Sequence, residues 1–70
     1  MPKIPVLKSK ELVKILKQNG FMEKRQSGSH LTLYRPTDSQ IVTVPIHNRT
    51  IGKGLTYAIL KQVKIDIYNN

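Results

Sequence analysis

The chain has 70 residues, with twelve Lys and Arg against four Asp and Glu, a formal net charge of +8 and no cysteine. That length suits one domain, residues 1–70, and so short a chain buries only roughly 60% of the surface its unfolded form exposes, so the core must be compact. Cysteine's absence excludes a disulfide framework, a thiolate metal site and a cysteine nucleophile; two histidines with four acids are also a poor zinc ligand set.

The N-terminal stretch MPKIPVLKSKELV holds no continuous apolar run, and no other segment approaches the ~20 apolar residues of a membrane-spanning helix. No segment combines a basic face with a broad aromatic one, which argues against a membrane surface as partner. A soluble, untargeted, cytoplasmic protein is expected.

SKELVKILKQNGF reads as an amphipathic helix. Ser9 is placed to cap its free N–H groups, Glu11 sits in the favourable first turn, and Asn19-Gly20 is a left-handed stop. Leu12, Val13, Ile15 and Leu16 share one side, with Lys10, Lys14 and Lys17 largely elsewhere. FMEKRQ is expected to be a strand that leads into the turn SGS. HLTLYR alternates, with Leu31 and Leu33 on one face and His30, Thr32 and Tyr34 on the other. PTDSQ is rich in turn residues and IVTVP is β-branched up to Pro45, which completes a three-stranded antiparallel meander.

IHNRTIGKG reads as a loop. LTYAILKQV then places Leu55, Ala58, Ile59 and Val63 at helical spacing, and KIDIYNN is a short tail that packs through Ile65 and Ile67. The order helix, three strands, helix implies an α+β two-layer sandwich, because both helices need an apolar surface and the sheet offers one.

The excess of cations points to a polyanion held through phosphate contacts and counterion release, with a merely solubilising surface as the plain alternative. If the leucine face of HLTLYR is covered by helices, His30 stands on the opposite face. RNA carries its own nucleophile: the 2′-hydroxyl attacks the adjacent phosphate if a base takes its proton, an acid protects the leaving oxygen and cations stabilise the extra charge. A histidine, with an unperturbed pKa of about 6.5, suits either proton role. His30 is therefore a candidate catalytic residue, against the reading of an ordinary surface histidine.

Gly28 would let an RNA backbone come close, and Ser29 with the N–H groups of the turn could donate to phosphate. Tyr34 either stacks on a base or packs on an aliphatic neighbour. His47, after Pro45, either joins the same sheet edge or caps its loop. Lys24, Arg25 and Arg35 are expected around the Gly28 turn, with Arg49 and Lys53 on the loop before the last helix; together they could hold a phosphate chain in register. Gly52-Lys53-Gly54 lacks the P-loop pattern, and no nucleophile elbow supports a serine triad, so neither nucleotide binding nor serine hydrolysis is expected. No cofactor is expected either. A non-catalytic RNA-binding module, and a basic protein that binds an acidic protein partner, remain the rival readings.

Helix, GF, RQSGSH, an alternating strand, VTVPIH and GLTYAILKQ follow one another in the order of the HicA toxin family, also described as YcfA-like, which the chain resembles from about Ser9 to Ile65. The specific elements are Gly28-Ser29-His30, Val44 to His47, and the spacing from Gly54 to Ile59 and Leu60. The resemblance implies a double-stranded-RNA-binding-domain-like fold and a type II toxin that cleaves mRNA and is held inactive by a HicB-like antitoxin. It also implies that His30 is the catalytic residue; His47 matches a recurrent family position, but the resemblance carries the catalytic role over to His30 alone. Where members often read Gly-Thr-Leu-Arg, this chain has Gly54-Leu55-Thr56-Tyr57, losing a threonine and a cation.

Overall fold

A computed structural model describes residues 6–47 and 50–65. The elements run β1 (Leu7–Lys8), α1 (Ser9–Gln18), β2 (Met22–Ser27), β3 (His30–Arg35), β4 (Gln40–Pro45), β5 (Thr50–Ile51) and α2 (Lys53–Gln62). β2, β3 and β4 form an antiparallel sheet with β3 in the centre, and the two helices flank it in sequence as expected of an α+β chain. Among the described residues no helix is long and apolar enough to cross a membrane.

Alternation along the sheet decides what the helices cover. Leu31 pairs with Val44 and Leu33 with Val42, and all four are buried. They form one core with Leu12, Val13 and Leu16 of α1, with Ile59 and Leu60 of α2 and with its C-cap Val63. Ile15 is only partly buried against this core.

Both helices stop in the same way. Gly20 has φ +94°, its N–H donates to the Lys17 carbonyl at 3.2 Å, and the Phe21 N–H reaches the Leu16 carbonyl at 3.0 Å. This is a Schellman motif, and Phe21, expected to open the next strand, is instead the buried residue that closes it. At the end of α2, Lys64 takes the left-handed position with φ +59°. Its N–H donates to the Lys61 carbonyl, and the Ile65 N–H donates to the Leu60 carbonyl at 2.9 Å. Ile65 is buried as expected, while Ile67 lies outside the described residues.

Three expectations are corrected. Ser9 does not cap α1. The first turn is closed by the Lys8 N–H, which donates to the Glu11 carboxylate at 2.8 Å, and Ser9 is the first helical residue. Its buried hydroxyl donates to the Pro45 carbonyl at 2.7 Å and accepts from the His47 N–H at 3.2 Å, tying α1 to the exit of β4.

The stretch expected to be one loop before α2 contains β5, which pairs with β1 through Leu7–Ile51 and Lys8–Thr50. Helix α2 begins at Lys53, and its inward face is Thr56, Ile59 and Leu60, followed by Val63; Leu55 and Ala58 are exposed.

Candidate nucleic-acid interface

The turn that presents His30 follows from its residues. Ser27 pairs with His30, so Gly28 and Ser29 are the two loop residues, and only Gly28 has a positive φ, +58°. That pattern is a type II′ hairpin turn, which takes glycine first. A Cβ at Gly28 would meet nothing within 4 Å, so it is the backbone angle and not crowding that requires glycine there. The Ser29 carbonyl accepts from the Ile46 N–H at 2.6 Å, which holds the turn against the end of β4.

His30 is exposed at the head of β3, flanked by Ser27 and Pro45 on the sheet face away from the leucines. Among the described residues no hydrogen bond reaches its ring. The imidazole is therefore open to a ligand and held by its backbone alone.

Three cross-strand rows make up this open face. The first is Ser27, His30 and Pro45; the second is Arg25, Thr32 and Thr43; the third is Met22, Tyr34 and Ile41. Between Glu23 and Arg25 the register shifts, leaving Lys24 as an extra residue in β2. A bulge of this kind sets two residues against one on the partner strand. Its consequence is chemical: Arg25 stays beside Thr32 while Lys24 lies with its ammonium 5.6 Å from the Tyr34 ring centroid, so successive cations reach one face.

Strict alternation would have sent one of them to the helix side, where Glu23 forms an ion pair with Lys17. Met22 and Ile41 are about half exposed and were not singled out in the sequence, because their place beside Tyr34 depends on strand register.

Arg35 is drawn away from His30. Arg35 lies at the far end of β3, five residues from His30 and so roughly 17 Å along the strand. Its guanidinium donates from Nε to Asp38 Oδ1 at 2.8 Å, from Nη2 to Asp38 Oδ2 at 2.6 Å and from Nη2 to the Val63 carbonyl at 2.8 Å. It also lies 4.8 Å from the Phe21 ring centroid. The hydrogen bond to Asp38 raises the arginine pKa and lowers that of the carboxyl. Arg35 thus joins the ends of the fold, away from the Gly28 turn where it was expected.

His47 follows β4, two residues past the Pro45 that pairs with His30. Together with Lys8, Ser9, Lys10 and Ile46 it lines a groove of about 740 Å³ at the start of α1. Lys53 is exposed at the first turn of α2, and Arg49 lies outside the described residues. A second groove of about 690 Å³ runs on the helix side between α1 and β2, lined by Lys10, Lys14 and Lys17 over Val13 and Leu31; it includes none of the candidate residues. Among the described residues no three His, Asp or Glu side chains come together as a metal-ligand set.

Fold and site together define a small, strongly basic α+β chain whose sheet packs helices on one face and exposes a histidine and two cations along the other. Residues 9–65 match the family model described as HicA toxin of bacterial toxin-antitoxin. The chain belongs to that family, and so is the toxin member of a toxin–antitoxin pair. Comparison with curated proteins gives no match.

Proposed function

We propose that this toxin is an mRNA endoribonuclease of a type II pair, in which His30 moves a proton during attack of the RNA 2′-hydroxyl on its neighbouring phosphate. The observation that carries the reading is His30 itself: exposed at the strand head, free of protein hydrogen bonds among the described residues, and on the face that holds Arg25 and Lys24.

In the reaction the 2′-oxygen bonds to phosphorus and the bond from phosphorus to the 5′-oxygen breaks. The 2′-hydroxyl proton passes to a base, and the leaving oxygen takes one from an acid; His30 performs one of these transfers. Arg25, in the cross-strand row next to His30 on the same face, offsets the charge that gathers on the phosphate. The nucleophile comes from the RNA, so no cofactor enters. A HicB-like antitoxin restrains the enzyme in the cytoplasm by covering the rim of the sheet that bears His30.

The test is cleavage of RNA by the purified protein in EDTA. A general acid or base typically contributes ~10²–10⁴-fold, so His30→Ala should lose cleavage by that factor while it keeps its fold and its affinity for RNA. Undiminished cleavage by the variant overturns the assignment, and binding without cleavage by the parent protein identifies an RNA-binding module instead.

A further inference from the structure

We propose that the row Met22, Tyr34 and Ile41 is a base-stacking platform, so that a single strand of RNA lies along β3 with one base on Tyr34 and its phosphates on Lys24 and Arg25. The inference rests on the ribonuclease reading and extends it, because it assigns a positioning site at a distance from the reacting phosphate.

Tyr34 lies four positions along β3 from His30, roughly 13 Å away and on the same face, which is a span of a few nucleotides. The row gathers exposed apolar side chains at one place on the sheet. Met22 is 54% and Ile41 47% exposed, and they flank a half-buried tyrosine ring on both sides. Contiguous exposed apolar groups mark a binding surface more often than scattered ones do.

The charge beside the row selects the occupant. Lys24 and Arg25 favour an anionic chain, and an aromatic ring bordered by cations is how proteins hold single-stranded nucleic acid without reading its sequence. In the free protein the Lys24 ammonium lies over the tyrosine ring. An exposed contact of that kind is weaker than a base stack, so the flexible lysine yields the ring to a base and moves to the adjoining phosphate. A base pair could not use the platform, since both faces of its bases are already stacked inside the duplex.

The experiment uses the His30→Ala protein, so that RNA is bound and not consumed, and a short single-stranded RNA of mixed sequence. Tyr34→Ala should weaken binding about tenfold, whereas Tyr34→Phe, which keeps the ring, should stay within about twofold. Lys24→Ala should reduce the dependence of log affinity on log salt by about one phosphate contact. The chain has no tryptophan, so in Tyr34→Trp the indole emission reports this position alone and should be quenched as RNA saturates.

Binding by Tyr34→Ala equal to that of its parent, or indole emission unmoved at saturating RNA, overturns the platform. So does an indole that answers to an acidic protein partner but not to RNA. If Tyr34→Ala fails to fold by circular dichroism, the indole titration decides alone. A parent that binds no RNA removes the ribonuclease reading itself, a failure distinct from intact binding that ignores position 34.

Discussion

The Arg35 guanidinium donates to the Val63 carbonyl at 2.8 Å, across twenty-eight residues of sequence. Val63 is the C-cap of α2, where unpaired carbonyls gather the negative end of the helix dipole, and a cation there is favourable. The same side chain lies against Phe21, the residue that closes α1. One strand residue thereby fastens the ends of both helices.

Arg35→Ala should therefore destabilise the fold by about 2 kcal/mol, the scale of a hydrogen bond to a charged group, and urea denaturation measures it. Arg35→Lys should recover only part of the loss, because an ammonium cannot engage both Asp38 oxygens and the Val63 carbonyl as the planar fork does. The Asp38 pKa is lowered in the folded state by its hydrogen bond to Arg35. The stability it contributes is thus complete above the unfolded carboxylate range, near 3.9, and is lost as pH falls through the folded value. Asp38→Asn should flatten that part of the acid limb and lower the stability above it, without altering the slope on the alkaline side.

Ser9→Ala should cost about 1–3 kcal/mol, because it removes the buried hydroxyl that donates to the Pro45 carbonyl and accepts from the His47 N–H. Amide exchange at His47 should quicken in the variant. If Ser9 acted as a helix cap, the change would instead appear in the first turn of α1.

Thr56 is fully buried, and its hydroxyl has no hydrogen-bond partner among the described residues. It stands where HicA toxins often carry leucine. Thr56→Val keeps the shape and the helix propensity but removes the orphaned hydroxyl, so it should raise stability by about 1 kcal/mol in thermal denaturation.

Lys64 occupies a left-handed position that glycine takes at the end of α1. Lys64→Gly should stabilise the protein by about 1 kcal/mol, less the entropy that glycine loses on folding. The closing bonds of α2 would persist, since they use only the backbone.

Local chemistry made much of the fold legible. The apolar spacing of α1, the stop at Gly20 and the alternation of HLTLYR each arise from a few neighbouring residues, and the structure agrees with all three. β1 and β5 were not legible, because two-residue strands carry no periodicity and exist only through each other. The inward face of α2 was misread by one position: LTYAILKQV offers two overlapping apolar stripes, and packing against the sheet selected the one through Thr56 and Leu60.

For the site, sequence by itself determined the strand, the glycine turn and the face on which His30 stands, because side chains on a strand alternate whatever surrounds them. Tertiary structure decided which cations join it. A bulge at Lys24 brings that residue and Arg25 to the face of Tyr34 and Thr32, while the carbonyl of a distant helix end and the carboxylate of Asp38 draw Arg35 away. Register and long-range hydrogen bonds depend on pairs of segments, and neither segment of a pair encodes them alone.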